Sequence, residues 1–399
     1  MNSIAAITAV PRILGSRIEV DVPEIAGTIW FDWRGPANIV GVEPPNANFA
    51  LLAALPIAMN TGSNLYVRGA VDAKLLQNAK RYTKIWSQWR PDKYKQAKLF
   101  AESEIEEAPH PGSQPWTYPF SGGVDSMFSI FANCAGDAGR DNRTPGSVFL
   151  VHGFDYPLSD TTFFPLLEQR VSAIAQSLGL PMLVCSTNWR EFCIQYELDT
   201  QLGLSAIAHT LSATHAGASI AADFTFGEDL EIMPWGNNQY MPHLLGSSRF
   251  SVVGGGADTL RVDKMAYLAK IPDALSRLGV CRKPNGVGNR LNCEECEKCI
   301  RTAMGLYVAT GDVKPTFSRI PGPSQILSIQ GLSEVELMFW YDILRRMPRR
   351  DRAARWAITT LLSRSRLNLG FNGIFQPLEK RYIRPLHARV RSALGVCSH

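Results

Sequence analysis

The stretch YPFSGGVDSMFSIF, Tyr118 to Phe131, decides the fold. A short aromatic segment ends at Phe120 and an apolar run begins at Val124, so a strand is predicted before the glycine pair and a helix after it. Glycines at such a junction let backbone N–H groups point inward and approach an anion closely. The N-terminus of the following helix adds partial positive charge. The stretch therefore predicts a phosphate-binding loop.

The polar residues of the loop indicate how it would bind a phosphate group. Ser121 and Ser126 would donate hydroxyl hydrogen bonds to an anion. The loop lacks the Gly-Lys-Ser/Thr of the Walker sequence, so it contains no lysine for a γ-phosphate. The loop carries Asp125 instead. A carboxylate beside a bound phosphate would repel it unless Mg²⁺ bridges the two groups. The alternative is a tight turn that needs two glycines and a capping serine.

The segments around the loop alternate between strand and helix patterns. Strands are predicted at 116–120, 147–155, 181–188 and 249–255, and helices at 124–135, 162–178, 204–222 and 263–279. Such alternation favours an α/β fold with a Rossmann-like parallel sheet and helices on both faces.

The regions before and after this alternating segment lack its regular strand–helix order. The sequence therefore predicts that the chain has four parts. Residues 1–106 contain strand patterns at 17–22, 27–33 and 64–69 and helical patterns at 46–60 and 72–89, typical of an N-terminal α+β domain. Residues 107–115 are rich in Pro and Gly and predict a linker. The nucleotide-binding domain is expected at 116–312, and 313–399 is expected to be a helical, Arg-rich C-terminal region.

Charge is unevenly distributed along the 399 residues. Lys and Arg exceed Asp and Glu by 41 to 36 over the whole chain, but by 13 to 2 from Arg345 onward. Such a basic region suits an acidic protein surface, a nucleic acid or an anionic membrane face. The alternative is an ordinary solvated helical face.

Composition also bears on the compartment. The first residues lack a basic segment followed by a long apolar one, so no signal peptide is predicted. The longest apolar run, FALLAALPIAM at 49–59, is too short to span a bilayer and contains a proline. Four of the eight cysteines cluster and the others are scattered, unlike a disulfide framework. We therefore expect a cytoplasmic protein without a membrane span.

The clustered cysteines predict a metal site. Cys281, Cys293, Cys296 and Cys299 follow the spacing C-x11-C-x2-C-x2-C. Two-residue spacing lets thiolates converge on one ion, and four thiolates satisfy tetrahedral Zn²⁺ in a closed, structural site. An iron–sulfur cluster held by three of these cysteines is the alternative.

The hexapeptide Ser-Gly-Gly-Val-Asp-Ser resembles the signature of the PP-loop, or N-type, ATP pyrophosphatases, Ser-Gly-Gly-x-Asp-Ser. The resemblance implies cleavage of ATP between its α- and β-phosphates, transfer of AMP to a carbonyl or carboxylate oxygen, and displacement of AMP by a nucleophile. It also implies that the pyrophosphate and its Mg²⁺ are held by Ser121, Gly122, Gly123, Val124, Asp125 and Ser126. Adenine and ribose would lie across the ends of the next two strands, where the candidates are His152, Ser186, Asp155 and Asn188.

Residues 115–310 resemble, more narrowly, 7-cyano-7-deazaguanine synthase, which also has an upstream cysteine followed by C-x2-C-x2-C. Both share a lysine-containing helix that leads into the first cysteine, so Lys264 is expected to contact ATP phosphates or the acyl-adenylate. The resemblance implies adenylation of a carboxylate such as 7-carboxy-7-deazaguanine and its coupling to ammonia or an amine. Since that family often forms dimers, it also implies a homodimer.

This chain departs from the synthase in two respects. The N-terminal and C-terminal regions are extra, as in enlarged relatives associated with bacterial antiviral defence operons, where the amine would belong to a partner protein. The substrate segment Asp-Cys-Arg-Pro is missing, and the nearest match contains Ser247, Ser248 and Arg249. The loop PWGNNQYMPHLLGSSR at 234–249 is the candidate substrate loop, with Trp235 to stack on a planar base and Asn237 to hydrogen-bond its edge. The alternative is a polar loop with a buried Trp.

Two other functions are consistent with the same residues. A sulfurtransferase acting on a nucleoside or tRNA would use a catalytic cysteine, for which Cys134, Cys185 and Cys193 are available, and the basic C-terminal region would contact nucleic acid. A non-catalytic ATP-binding scaffold is the second alternative. The histidines at 209, 215 and 243 lack metal-ligand spacing, so they are expected to be core or capping residues.

Overall fold

The computed structural model of the protein describes residues 5–110, 114–281 and 292–378. The chain forms two compact units, Met1–Cys293 with Lys314–Thr316, and Glu294–Val313 with Phe317–His399. The first unit is α/β, with one ten-stranded sheet, and the second is helical in its described residues.

The sheet of the first unit has the strand order β10-β9-β6-β7-β8-β3-β2-β1-β4-β5. In chain order the strands are β1 (Ala6–Leu14), β2 (Arg17–Val22), β3 (Gly27–Arg34), β4 (Asn64–Asp72), β5 (Leu99–Ile105), β6 (Trp116–Pro119), β7 (Pro145–His152), β8 (Met182–Thr187), β9 (Gly217–Ala221) and β10 (Ser251–Gly255). Most neighbouring pairs are parallel, and the antiparallel ones join β1 to β2, β2 to β3, and β3 to β8.

Strands β6 to β10 form a wholly parallel block. Numbered within that block and read from β8, they follow the order 3-2-1-4-5, which matches the first five strands of a Rossmann-like sheet. The predicted α/β class with a parallel sheet is confirmed at this level. The prediction rested on the alternation of strand and helix patterns in the sequence, because two consecutive parallel strands must be joined by a crossover segment, usually a helix.

Strands β1 to β5 belong to the same sheet as the parallel block. In the register of β3 and β8, Phe31 faces Thr187 and Arg34 faces Val184. The indole N–H of Trp33 donates to the Thr210 hydroxyl at 3.1 Å. We predicted a separate domain for residues 1–106; instead, the described part of that segment shares one sheet and one compact unit with the following strands, and the described residues of the linker 107–115 have no regular structure.

The helices of the first unit are α1 (Ala37–Val40), α2 (Asn48–Thr61), α3 (Ala73–Trp89), α4 (Val124–Ala135), α5 (Phe163–Ser177), α6 (Tyr196–His209), α7 (Phe226–Ile232) and α8 (Arg261–Leu268). Helix α4 occupies the predicted range 124–135. Helix α2 is buried on all sides, so it shows no amphipathic period. Asp72 caps the N-terminus of helix α3, since its carboxylate accepts from the N–H of Leu75 at 3.0 Å.

Two predicted helices differ from the structure. The helix predicted at 204–222 is wrong: α6 ends at His209, and Gly217–Ala221 is strand β9. A buried strand made of small residues cannot be told from a helix by periodicity. The helix predicted at 263–279 is shorter, because α8 ends at Leu268.

The second unit contains α9 (Glu297–Thr310), α10 (Pro323–Leu327), α11 (Glu334–Arg346) and α12 (Arg352–Leu378). The helical character predicted for 313–399 agrees with α10, α11 and α12 as far as Leu378. The rest of the predicted C-terminal region, 379–399, lies outside the described residues. Among the described helices, none combines the length and the apolar character needed to cross a membrane.

Candidate functional site

The glycine loop for which phosphate binding was predicted lies where the order of the parallel strands reverses. Strand β6 has β7 on one side and β9 on the other, so the chain leaves β6 toward one neighbour and returns later to the other. In open α/β sheets a crevice opens at this point, outside the carboxyl ends of the strands. Residues 120–123 follow β6 directly and lead into α4. The loop therefore occupies the position at which such sheets bind ligands.

The loop has the backbone geometry that two glycines permit. Gly122 has φ +70°, a left-handed conformation that disfavours side chains. Gly123 precedes the first turn of α4, and its N–H donates to the Ser121 hydroxyl at 3.4 Å. The Ser126 hydroxyl donates to the Gly123 carbonyl at 3.2 Å and lies 3.3 Å from the Ser121 oxygen. The two serines and the helix N-terminus thus face one small region.

Asp125, in the first turn of α4, is held by two cations. Its carboxylate accepts from Arg261 at 2.5 Å and from the Lys264 ammonium at 3.3 Å. The Asp125 side chain is 12% exposed and that of Lys264 only 1%. Lys264 also donates to the Ala222 carbonyl at 2.7 Å, just past the end of β9. The predicted pair Asp125 and Lys264 is therefore brought together at the carboxyl edge of the sheet.

Arg261 was missed in the sequence analysis. It lies one turn before Lys264 on α8, and both side chains reach Asp125 from the same helix face. The i, i+3 spacing of the two cations was the available signal. The loop itself contains no lysine, and the cations beside it come from helix α8.

A second carboxylate lies beside this group. Asp223 follows β9, and burial together with the charge of Asp125 raises the pKa of Asp223, whereas Arg261 and Lys264 oppose the shift. The site thus combines two carboxylates, two cations and a helix N-terminus. Such a set can hold a polyphosphate through its cations and a hard divalent cation through its carboxylates.

Trp235 and Asn237 lie at the same edge of the sheet. The Asn237 amide donates to the Ala221 carbonyl at 3.0 Å, at the end of β9, and its oxygen accepts from Gln201 at 3.3 Å. Trp235 is half-buried, and its indole nitrogen is buried without a hydrogen-bond acceptor in the described part of the chain. Asn237 therefore lies at the carboxyl end of β9, where its contacts also support the backbone, and Trp235 lies two residues before it in the chain.

Ser247, Ser248 and Arg249 lie at the opposite edge of the sheet. They precede β10, whose first residue, Ser251, pairs with Gly217 at the start of β9. The N–H of Ser248 donates to Asp72 at 3.0 Å, and Arg249 lies 3.2 Å from His110. The five residues of β10, about 16 Å of strand, lie between this segment and the carboxyl edge of the sheet, where the glycine loop is found. The structure does not bring these three predicted substrate residues to the site, and their contacts are structural.

The candidates for adenosine contacts lie on the other side of the loop. His152 ends β7 and faces Ser186 of β8 in the register of the two strands. The imidazole of His152 stacks on Phe164 with ring centroids 3.9 Å apart, and burial lowers its pKa. Asn188 bonds to the backbone of β3, and Asp155 accepts from Tyr196, so both have structural partners.

An open cleft lies beyond the carboxyl ends of β7 and β8. Its volume is about 700 Å³, and its lining includes Gly153, Pro157, Ser159, Thr187 and Arg190. A cleft of this size accommodates a nucleoside-sized ligand. Its lining residues follow β7 and β8, so the cleft lies at the same edge of the sheet as the glycine loop that follows β6.

The four clustered cysteines converge as predicted. The sulfur atoms of Cys281, Cys293, Cys296 and Cys299 all lie within 4.8 Å of one another. Tetrahedral zinc–thiolate geometry needs sulfur atoms about 3.8 Å apart, so the four residues fit a metal ion such as zinc. Cys296 immediately precedes α9 and Cys299 lies in its first turn, where the helix N-terminus favours thiolates.

The other described cysteines and histidines have structural surroundings. Burial raises the pKa values of Cys185 and Cys193, so their thiols are poor nucleophiles. Cys134 is exposed at the end of α4, and partial desolvation of its thiol raises its pKa as well. His209 lies 2.8 Å from the Leu245 carbonyl, and burial lowers its pKa to about 4. His215 lies 2.9 Å from the Ser147 hydroxyl in the core. These contacts agree with the core role expected for His209 and His215, whereas His243 is exposed and is not part of the core.

Comparison with protein-family models, with curated proteins and with solved structures finds no match for this chain.

Proposed function

We propose that this protein is an ATP-dependent ligase that adenylates a carboxylate and couples it to an amine, with release of AMP and pyrophosphate. The observation that supports this most is the glycine loop at the strand-order reversal, with Asp125, Arg261 and Lys264 converging beside it. A ligase of this kind must bind a triphosphate and stabilise the charge of a departing pyrophosphate.

The cations of α8 suit the leaving group. Arg261 and Lys264 are largely shielded from water, so their attraction for an anion is weakly screened. Phosphate oxygens that enter the loop would compete with Asp125 for both cations. The freed carboxylate would then hold Mg²⁺, which neutralises phosphate charge when bound, and Asp223 is the second candidate ligand.

The proposed reaction has two steps. In the first, a substrate carboxylate oxygen attacks the α-phosphorus, the bond between that phosphorus and the bridging oxygen breaks, and pyrophosphate leaves. In the second, an amine attacks the carbonyl carbon of the acyl-adenylate, AMP departs with the original carboxylate oxygen, and the amine loses a proton. Arg261 and Lys264 would stabilise the pyrophosphate in the first step.

The proposed carboxylate is 7-carboxy-7-deazaguanine or a similar deazapurine. Trp235 and Asn237, which follow β9 in the chain, would contact its ring, and the cleft beyond β7 and β8 would receive the adenosine. The amine is ammonia or an amino group of a partner protein, the second being the arrangement expected of a defence-associated relative. The remaining parts of the proposal are a structural zinc, a cytoplasmic location and a homodimer.

The test uses the purified full chain with ATP, Mg²⁺ and 7-carboxy-7-deazaguanine labelled with ¹⁸O in its carboxylate. We expect AMP and pyrophosphate to form together and the label to appear in AMP. Asp125→Asn should abolish both products. Asp141→Asn, which alters an exposed aspartate beyond the far end of α4, is the matched control and should leave the rate unchanged.

Three outcomes would contradict the ligase proposal. AMP without ¹⁸O would exclude adenylation of the carboxylate. Product formation that survives Asp125→Asn would exclude the proposed site. Absence of AMP with any carboxylate would favour one of the two alternatives. Incorporation of labelled sulfur into tRNA would then indicate a sulfurtransferase, and ATP binding without turnover would indicate a scaffold. Intact-mass measurement of a co-purified protein would identify a macromolecular amine.

A further inference from the structure

The second unit presents a basic and aromatic surface at the turn between α11 and α12. We call it the α12 face and define it as Arg345, Arg349, Arg350, Arg352, Trp356 and Arg366. All six side chains are exposed; Trp356 is 60% exposed and the Arg345 side chain 67%. An exposed Trp among arginines is unusual, because large aromatic side chains are normally buried.

The local acids leave this face strongly positive. Asp342 already accepts from Arg345 at 3.0 Å and from Arg346 at 2.8 Å. Asp351 accepts from the Tyr307 hydroxyl at 2.8 Å. Within the described part of the chain, neither Arg349 nor Arg352 forms an ion pair. These two arginines are therefore available to bind an external anion.

The turn that presents these arginines is well supported. Arg355 donates to the carbonyls of Leu344 at 3.1 Å and Met347 at 2.7 Å, so it joins the end of α11 to the start of α12. Ala357 and Ile358, next to Trp356, are fully buried. A stable backbone reduces the entropy that binding must overcome.

From the turn, exposed residues form one row along the axis of α12. Arg352 and Trp356 are one helical turn apart, and Thr359, Ser363 and Arg366 follow on the same side. The guanidinium of Arg366 lies 4.7 Å from the ring centre of Tyr341. From Arg352 to Arg366 this side extends about 21 Å along the helix axis. That length matches an extended polyanion better than a single small anion.

We propose that the α12 face binds single-stranded nucleic acid. The arginines would contact successive phosphates, and a base would stack on Trp356. This assignment does not depend on the proposed ligase activity, since all its residues belong to the second unit and none belongs to the phosphate site.

An anionic membrane surface is the other partner that attracts arginine and tryptophan, and the composition of the face disfavours it. A membrane-binding helix needs a continuous apolar band to insert. Between Trp356 and the next exposed apolar residue, Leu367, this side of α12 contains Thr359, Ser363 and Arg366. One aromatic ring among polar residues suits stacking on a base rather than insertion.

The test measures binding of the full chain to a fluorescently labelled single-stranded RNA of mixed sequence, by anisotropy at several salt concentrations. Trp356→Ala should weaken binding about 5- to 150-fold with little change in salt dependence. Trp356→Phe, which retains an aromatic face, should keep most of the affinity. Arg349→Gln combined with Arg352→Gln should lower the slope of log K against log salt by about 0.7 for each arginine removed.

Arg319→Gln is the matched control, because Arg319 is an exposed arginine of the same unit outside the α12 face. It should leave affinity nearly unchanged. A loss of affinity in Arg319→Gln as large as that in the double variant Arg349→Gln, Arg352→Gln would overturn the proposal, as would undiminished binding by Trp356→Ala. Sedimentation with phosphatidylserine vesicles without RNA binding would assign the face to membranes instead. Loss of AMP formation with intact RNA binding would contradict only the ligase proposal.

Discussion

Asp125 shows how one residue can serve both the fold and a site. A carboxylate near the edge of the sheet with two cations at 2.5 and 3.3 Å is electrostatically satisfied without any ligand. Ligand phosphates can replace the carboxylate at the cations, and a metal ion can replace the cations at the carboxylate. In the proposed function, Asp125 would therefore be paired before a ligand arrives and could exchange its partners when one binds, which a lone buried aspartate could not do.

Asp199 is a buried carboxyl whose titration should be visible in stability. It accepts from the Tyr94 hydroxyl at 2.8 Å and from the Cys193 thiol at 3.3 Å, and burial raises its pKa to about 7. Between about pH 4 and 7 the unfolded chain has lost this proton while the folded chain keeps it. The folded state binds more protons there, so this group makes stability fall with rising pH, by at most about 1.4 kcal/mol per pH unit.

Asp199→Asn should remove that contribution, so the free energy of unfolding of the variant should decline less steeply across this window. Urea unfolding at a series of pH values measures the difference between the two slopes. Asp141→Asn, at an exposed position, should leave the slope as it is in the wild type. Identical slopes for the wild type and Asp199→Asn would show that Asp199 is ionised throughout the window.

Two glycines at opposite ends of α4 separate a binding role from a folding role. Gly122 and Gly136 have φ +70° and +78°, and a Cβ atom at either would meet no close neighbour. Alanine should therefore cost similar stability at both, about 1 kcal/mol. We expect only Gly122→Ala to weaken pyrophosphate binding, because only Gly122 lies in the loop that turns N–H groups toward the site. Calorimetric titration with pyrophosphate and Mg²⁺ compares the two variants, and equal affinities would exclude the loop as the anion site.

The start of α9 gives a prediction about metal content. Cys296 and Cys299 bracket the first turn of that helix, and Cys281 and Cys293 complete the set. Elemental analysis of protein purified without added metal should find about one zinc per chain. Cys296→Ser should lose that zinc and lower the unfolding temperature, because structural metal binding contributes folding free energy. Cys134→Ser, at an exposed cysteine outside the cluster, should retain it. Iron and inorganic sulfide in place of zinc would contradict this assignment.

Elements with strong local signals were predictable from the sequence, and those without were not. Helix α4 and strand β2 coincide with their predicted ranges, because glycines and alternating residues mark their ends. Strand β9 was missed because its small residues are packed tightly: a Cβ atom on Gly217 would lie 2.6 Å from the Trp116 ring. Close packing of this kind selects small residues in a strand and in a helix alike, so composition alone could not separate them.

At the scale of the whole molecule, the sequence-based predictions differ from the structure mainly where segments that are distant in sequence come into contact. The hexapeptide and the cysteine spacing are local, so their residues could be found without the fold. Placing Ser248 at the amino edge of the sheet required its bond to Asp72, 176 residues away in sequence. Assigning Arg261 to the site required the packing of α8 against α4. Sequence patterns indicate which groups are chemically suited to a site, and tertiary pairing determines which of them meet.

The continuous sheet predicts that residues 1–106 cannot separate from the rest of the first unit. Strand β3 pairs with β8, and two indole N–H groups cross between the segments, from Trp33 to Thr210 and from Trp189 to the Ala53 carbonyl at 3.0 Å. The buried apolar core likewise includes residues from both segments. Separation would expose this core and leave buried polar groups without partners, each of which costs about 1–3 kcal/mol.

A protease recognition sequence inserted between residues 107 and 115 of the full chain tests this prediction. After cleavage, we expect both fragments to elute together in gel filtration and to unfold in one transition. Adding Trp33→Ala and Trp189→Ala to the cleaved protein should promote dissociation, because both indoles connect the segments. Trp356→Ala, which removes an exposed indole of the second unit, should not. Two fragments that elute separately and each retain folded circular dichroism spectra would instead establish an independent N-terminal domain.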